Sequence, residues 1–167
     1  MTTQENKILS HEEIQHKIKR IAYQIYETYV DEDEIVIAGI ASSGLELAKK
    51  IDQCFNEIAD IKTIFCEVII DKVNPLKPIE TSLDKSEYQN KCVIVVVDVL
   101  NSGSTLIYAV RHFLDVPLKK LKTVVLVDRN HKKYPVKADF KGISLSTSLQ
   151  EHVDVVFENG NDAVYLR

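Results

Sequence analysis

The most constraining stretch of the sequence is an unbroken apolar run near its middle, CVIVVV at residues 92–97, which polar residues follow at once. A strand with one face in solvent alternates apolar and polar residues, whereas a strand covered on both faces is apolar throughout. Such strands are typical of the centre of a parallel sheet with helices on both sides. The run therefore predicts an α/β fold.

The remaining patterns alternate between strand and helix. Ser10, with Glu13 three residues later, predicts a capping box at the start of a helix. Further strands are predicted at EIVIAGI, KTIFCEVII, LKTVVLVD, HVDVVF and AVYLR, and further helices at LELAKKIDQCFNEI and TLIYAVRHFL. Residues 71–90 contain two prolines and little periodicity, which predicts a long loop. We expect a single α/β domain over residues 1–167, with a mostly parallel sheet flanked by helices.

Composition narrows the classes of protein that fit. The formal charge of −4 argues against a protein that coats nucleic acid without sequence preference. The start of the chain has no apolar signal core, and no apolar run approaches the roughly 18 residues that a membrane span needs. Three cysteines without CxxC spacing predict reduced, structural thiols. We expect a cytoplasmic protein with no membrane partner.

Short polar loops, ASSG at residues 41–44 and NSGS at residues 101–104, follow two of the predicted strands. In open α/β sheets, ligands bind beyond the carboxyl ends of the strands. Backbone N–H groups at the start of the following helix favour an anion such as phosphate, and Gly103 allows the backbone to turn closely around it. Asp98 suits the hydroxyls of a sugar better than a phosphate. The pattern fits a phosphorylated ribose, and a purely structural turn is the alternative.

Four segments of the sequence resemble type I phosphoribosyltransferases. VIVVVDVLNSGSTL resembles the phosphoribosyl pyrophosphate signature of that family. LVDRNHKKYPVKADFKG resembles a segment of its pyrimidine operon attenuator and uracil phosphoribosyltransferase group, and IVIAGIASSGLELAKKI is similar to the pyrophosphate loop of that group. KRIAYQI is similar to part of the group's first helix. The resemblance extends over residues 7–165, and implies a Rossmann-like core with a small hood, mainly from residues 129–150 and the C-terminal strands.

The resemblance also implies a role for each matching position. The 5′-phosphate would lie on the loop formed by Asn101, Ser102, Gly103, Ser104 and Thr105. The catalytic residue would be Asp98, which would hold the ribose hydroxyls and help to organise Mg²⁺ that arrives with the substrate rather than in a metal site of the protein. The pyrophosphate loop would be Ala41, Ser42, Ser43 and Gly44. The base would stack on Phe140, with further contacts from the main chain of Lys141 and from Arg129.

This sequence departs from the family pattern mainly at the pyrophosphate end. Val97 stands where the family has the first of two acids, and Ser43 stands where it has a basic residue. Ser104 replaces a frequent Arg or Lys of the phosphate loop. The stretch VIIDKVNPLKPIETSLDK lacks the Tyr-Arg-Asp-Asp motif of the family's flexible loop. Three lysines of this stretch either substitute for the missing motif or are ordinary solvated side chains: Lys72, Lys77 and Lys85.

Two functions follow from the resemblance and its departures. The first is a phosphoribosyltransferase that acts on phosphoribosyl pyrophosphate and a pyrimidine base such as uracil. The second is a regulator that senses a pyrimidine nucleotide, such as a nucleoside monophosphate, without turnover. The resemblance also implies a homodimer, and RNA is a candidate partner through Lys19, His131 and Lys137, although Tyr23 and Ile143 depart from the family's RNA-facing surface.

Overall fold

The computed structural model describes residues 6–148 and 150–167. Its helices and strands follow the alternation that the sequence predicts. In chain order they are β1 (Asn6–Leu9), α1 (His11–Thr28), β2 (Glu34–Ile40), α2 (Ser43–Ile58), β3 (Lys62–Ile69), β4 (Glu80–Thr81), α3 (Lys85–Tyr88), β5 (Cys92–Leu100), α4 (Ser104–Phe113), β6 (Lys120–Asp128), β7 (Phe140–Ser144), β8 (Val153–Val156) and β9 (Ala163–Leu166).

Six of the strands form the main sheet, in the order β4-β3-β2-β5-β6-β7. All neighbours in it are parallel except β4, which pairs antiparallel with the edge of β3. The register sets Gly39 of β2 opposite Val96 of β5, so the carboxyl ends of these strands lie side by side. The predicted α/β fold with a mostly parallel sheet is confirmed.

The apolar run in β5 separates two hydrophobic clusters, one on each face of the sheet. Ile94 and Val96 pack into the cluster that holds the buried faces of α1 and α2. Val93, Val95 and Val97 pack into the cluster beneath α4. Because successive side chains of a strand point to opposite faces, only a continuous apolar run can serve both layers.

The helix α1 begins with the capping box that the sequence predicts. The amide of Glu13 donates to Ser10 Oγ at 3.3 Å, and the amide of Ser10 donates to Glu13 Oε1 at 3.2 Å. Its apolar stripe is buried against the sheet and consists of Ile14, Ile18, Ile21, Ala22 and Ile25. The pairing satisfies two amides that the first turn of a helix otherwise leaves open.

A second, three-stranded sheet in the order β1-β9-β8 forms the hood. It joins the strand nearest the start of the chain to the strands nearest its end, since Asn6 lies opposite Leu166. The resemblance implies a hood mainly from residues 129–150 and the C-terminal strands. The structure instead puts Phe140–Ser144 into the main sheet, where Phe140 lies opposite Val124 and is buried with it.

The three cysteines are free thiols in apolar surroundings. Cys66 and Cys92 are buried, and Cys54 is half-buried. Burial raises the pKa of each thiol above its ordinary value, which keeps it in the unreactive protonated form. None of the described helices is long and apolar enough to cross a bilayer.

Replacing Ser10 by alanine removes one half of the capping box. We expect S10A to lower the free energy of unfolding by about 1 kcal/mol, because the amide of Glu13 loses its acceptor. The matched control is S10N, since asparagine caps helices as well as serine does. Urea denaturation of the three proteins checks this, and equal stability of S10A and S10N would contradict it.

Candidate functional site

The site begins where the central strand ends. The strand β5 continues to Leu100, two residues past Asp98, and α4 begins at Ser104. Between them Gly103 is the N-cap of α4, with φ +89°. A side chain there would be strained by the backbone, and its Cβ would lie 2.7 Å from Val136 Cγ1. The turn therefore requires glycine.

At this turn, four backbone amides have no hydrogen-bond acceptor in the described part of the protein. The amide of Ser104 donates to Ser102 Oγ at 3.2 Å. Within residues 6–148 and 150–167, no acceptor pairs with the amides of Ser102, Gly103, Thr105 and Leu106. These four amides, called here the amide cradle, lie at the positive end of the α4 dipole, which is the arrangement that binds phosphate at helix N-termini.

The cradle is held in place from the loop that follows β6. The carbonyl of Ser102 accepts from the amides of Lys133, at 2.7 Å, and Tyr134, at 3.2 Å. Val136 closes the same side by its contact with Gly103. The loop thus fixes the turn through main-chain hydrogen bonds and leaves the amides on its other side open.

A cavity of about 220 Å³ lies over the cradle. Its floor is the end of β5 and the start of α4, and includes the half-buried carboxylate Asp98 beside the buried Val97. Its opposite wall is residues 152–155 of the hood, and Lys72 reaches it from the loop after β3. The cavity therefore brings Asp98 and the turn before α4 into one space, and their predicted contacts with a sugar and a phosphate stay predictions.

The loop of residues 41–44 lies next to this cavity because β2 is the neighbour of β5. The Ala41–Ser42 peptide is cis, and the amide of Ala41 donates to Val68 O at 2.9 Å. Gly44 lies against the backbone of β5, where a Cβ would come 2.9 Å from Val96 O. None of the four residues lines the cavity itself, so the role of this loop in binding pyrophosphate stays a prediction.

Arg129 is engaged by hydrogen bonds within the protein, and its predicted contact with a base stays a prediction. Its guanidinium is buried and donates to Asn101 Oδ1 at 2.9 Å and to Thr147 Oγ1 at 3.0 Å. It also donates to the carbonyls of Ser148 and Glu151. Arg129 thus ties the phosphate loop to the segment that leads into the hood wall. It does not line the cavity.

Phe140 and Lys141 also lie away from the cavity. Phe140 lies opposite Val124, four residues before the end of β7, and therefore roughly 13 Å from the carboxyl edge of the sheet. The carbonyl of Lys141 accepts from the guanidinium of Arg20 at 3.1 Å. The structure does not bring either residue to the other predicted site residues, and their contact with a base stays a prediction.

The hood wall is the part of the site that sequence reasoning missed. The residues of this wall that line the cavity together with Asp98 are His152, Val153, Asp154 and Val155. The only signal in the sequence was the alternation in HVDVVF, which predicts a strand but not its partner. Asp154 is paired with Arg167 at 2.5 Å, and the amide of His152 donates to the carbonyl of Arg167.

The site fits the magnesium ion that the resemblance implies only if the substrate supplies most of the ligands of the ion. No group of three His, Cys, Asp or Glu side chains in the described chain is arranged to hold a metal. Asp98 offers one half-buried carboxylate, and the buried Val97 beside it offers no ligand. Mg²⁺ accepts such an arrangement when substrate phosphates and water complete its octahedron.

Comparison with known proteins identifies the class to which this fold and site belong. The sequence matches the model of the Phosphoribosyl transferase domain over residues 4–157. The chain therefore belongs to the phosphoribosyltransferase family.

Within the family, the chain is similar to several curated proteins named Bifunctional protein PyrR. It is 32% identical to that of Haemophilus ducreyi, over 93% of this chain and 91% of the relative. It is 34% identical to that of Fusobacterium nucleatum, over 89% of this chain and 88% of the relative.

Solved structures share the fold at lower identity. Hypoxanthine phosphoribosyltransferase from Trypanosoma cruzi, in complex with the product IMP, has a TM-score of 0.79 and 20% identity, and the match covers 100% of this chain and 97% of that chain. A hypoxanthine-guanine phosphoribosyltransferase from Bacillus anthracis has a TM-score of 0.74 and 23% identity, with 89% and 84% covered.

Replacing Gly103 by alanine tests the amide cradle. We expect G103A to weaken the binding of ribose 5-phosphate at least about tenfold, because the clash with Val136 moves amides that would each donate to a charged group. G160A is the matched control, since Gly160 has φ +78° and no atom within 4 Å of its Cβ. It carries the same backbone strain without the clash. Calorimetry checks both, and unchanged affinity in G103A would contradict the prediction.

Replacing Arg129 by alanine tests whether this residue connects the loop of Asn101 to the segment that leads into the hood wall. We expect R129A to lower the free energy of unfolding by roughly 2 kcal/mol, because the buried Arg129 loses its part-buried, charge-assisted hydrogen bonds to Asn101, Thr147 and two carbonyls. R111A is the control, since Arg111 is exposed on α4. Urea denaturation measures the stability, and hydrogen exchange should rise near Thr147 and Glu151 in R129A alone. Equal effects of the two variants would refute the connection.

Proposed function

We propose that this protein transfers the 5-phosphoribosyl group of phosphoribosyl pyrophosphate to a pyrimidine base such as uracil. The observation that carries the proposal is the cradle of four open amides in the same cavity as Asp98. The family shows the class of reaction, and the PyrR relatives support the choice of a pyrimidine.

The phosphate end of the site binds the 5′-phosphate through backbone amides rather than through charged side chains. The open amides of the cradle donate to the 5′-phosphate oxygens, and the α4 dipole adds a favourable field. Ser104, where relatives carry a cation, adds only a hydroxyl, and its amide is occupied by Ser102 Oγ. This end of the site suits a phosphate monoester, because amides recognise its oxygens without requiring a counter-charge.

The ribose lies between the cradle and the hood, over Asp98. The carboxylate accepts hydrogen bonds from the ribose hydroxyls. Magnesium, when bound with the substrate, neutralises part of the pyrophosphate charge. Asp98 is the protein's one carboxylate on the floor of the cavity, within the described residues.

The base lies against β8, which is an edge strand of the hood sheet. His152 and Arg167 exchange both of their main-chain hydrogen bonds, at 2.6 and 2.7 Å. In an antiparallel pair such residues alternate, so Val153 and Val155 direct their N–H and C=O groups away from β9. Both residues line the cavity. Their main-chain groups complement the alternating donors and acceptors on the edge of a pyrimidine.

Transfer breaks the bond between C1′ of the ribose and the pyrophosphate oxygen, and the electron pair leaves with pyrophosphate. The ring nitrogen of the base forms the new bond to C1′ and loses its proton to solvent. Positive charge develops on the ribose in between, and the Asp98 carboxylate below the ring stabilises it.

A second candidate is a regulator that binds a pyrimidine nucleotide without turnover. The observation in its favour is the buried, apolar Val97 on the cavity floor, together with the uncharged Ser43. Such a regulator would form a homodimer. It would contact RNA, if it binds RNA, through Lys19, His131 and Lys137. Lys137 lies 3.6 Å from Asp139, which reduces the free positive charge of that surface.

A turnover assay separates the two candidates. The protein is incubated with Mg²⁺, labelled phosphoribosyl pyrophosphate and a panel of bases, and the product is resolved by chromatography. We expect a labelled nucleotide with uracil and less with purines. Binding of UMP without a labelled nucleotide from any base would overturn the transfer and leave the regulator.

Replacing Asp98 by asparagine tests the assigned carboxylate. We expect D98N to lower kcat/KM by about 10²–10³, the range for loss of one preorganised electrostatic group. D154N is the control, because Asp154 lines the same cavity but is paired with Arg167. A loss of similar size in both variants would argue that net charge in the cavity matters, and not the position of Asp98.

A further inference from the structure

We propose that Lys72 binds the pyrophosphate end of the substrate and supplies the positive charge that Ser43 lacks. The inference rests on the proposed function and names a residue in a loop whose sequence matches no motif of the family. The observation behind the inference concerns the residues that line the cavity. Among those in the described part of the chain, Lys72 is the only lysine or arginine.

The structure distinguishes the three lysines that follow β3. Lys77 Nζ lies 3.2 Å from Asp71 Oδ2, and Lys85 Nζ lies 3.3 Å from Asp115 Oδ2. Both are already paired with carboxylates away from the cavity. Lys72 is exposed and has no acidic partner among the described residues, so its ammonium is available to a ligand.

The order of strands determines the side from which Lys72 enters. It follows β3, and β2 lies between β3 and β5. To line a cavity at the end of β5, the side chain of Lys72 must cross the carboxyl end of β2. The loop of residues 41–44 lies at that end, so Lys72 enters from the side of the predicted pyrophosphate loop rather than from the α4 side.

A local turn keeps Lys72 at this position. Asp71 Oδ1 accepts from the amides of Val73, at 2.9 Å, and Asn74, at 3.0 Å. Its other oxygen is paired with Lys77, so the charge of Asp71 is neutralised one residue from Lys72. The neighbouring carboxylate therefore does not withdraw the Lys72 ammonium from the cavity.

The charge of the substrate explains why a cation is needed there. The departing pyrophosphate carries about three negative charges, and fixed charges at such a group are usually the largest contribution to catalysis. The carboxylates of the cavity, Asp98 and Asp154, carry the opposite sign to the one required. Lys72 is placed to offset them at the end where the amide cradle does not reach.

The test compares two ligands that differ at the pyrophosphate end. Calorimetry of K72A with UMP and with phosphoribosyl pyrophosphate plus Mg²⁺ measures binding without turnover. We expect affinity for phosphoribosyl pyrophosphate to fall about tenfold to a hundredfold, as for loss of one charge-assisted contact, while affinity for UMP stays unchanged. K72R should recover most of the loss. K85A is the matched control, because Lys85 is paired with Asp115 away from the cavity, and it should bind both ligands like the wild type.

The outcomes separate this inference from the proposed function. Equal losses for both ligands in K72A would place Lys72 at the 5′-phosphate and overturn the assignment. Wild-type affinities in K72A would also overturn it, while leaving the transfer reaction in place. Failure of the wild type itself to bind phosphoribosyl pyrophosphate would overturn both proposals.

Discussion

Burial of β5 on both faces is the constraint on which the rest of this structure depends. Its side chains are shared between two hydrophobic layers, so no polar group can be placed along the strand until the layers end near Asp98. Polar chemistry is therefore confined to the carboxyl edge of the sheet. There, α4 begins with the amide cradle, whose four amides have no acceptor among the described residues, and β2 leads into a second loop.

Sequence patterns predicted the core and the turn before α4, because both depend on local rules. The capping box at Ser10 needs two residues three apart, and a two-sided strand needs only a run of apolar residues. Gly103 could be identified because a tight turn before a helix favours glycine. Each of these features is decided by residues close together in the chain.

The positions of the residues predicted to contact a base could not be read in the same way, because tertiary pairing decides where they lie. Phe140 belongs to a segment that resembles the family, yet its strand enters the main sheet and carries the ring into the core. Val153 and Val155 are ordinary strand residues, and the role that we propose for them comes from the position of β8 at the edge of the hood sheet. The motif match at Arg129 did not predict its hydrogen-bond partners, which include Asn101 and Glu151.

The pairing of β1 with β9 has a consequence for how the protein is made. Asn6 lies opposite Leu166, so β1 leaves the ribosome long before its partner and cannot pair until β9 has emerged. The main sheet and the amide cradle come from segments between them and can pack earlier. A nascent chain would thus complete the amide cradle before the hood sheet, and the wall that we propose for the base would form only once β9 has emerged.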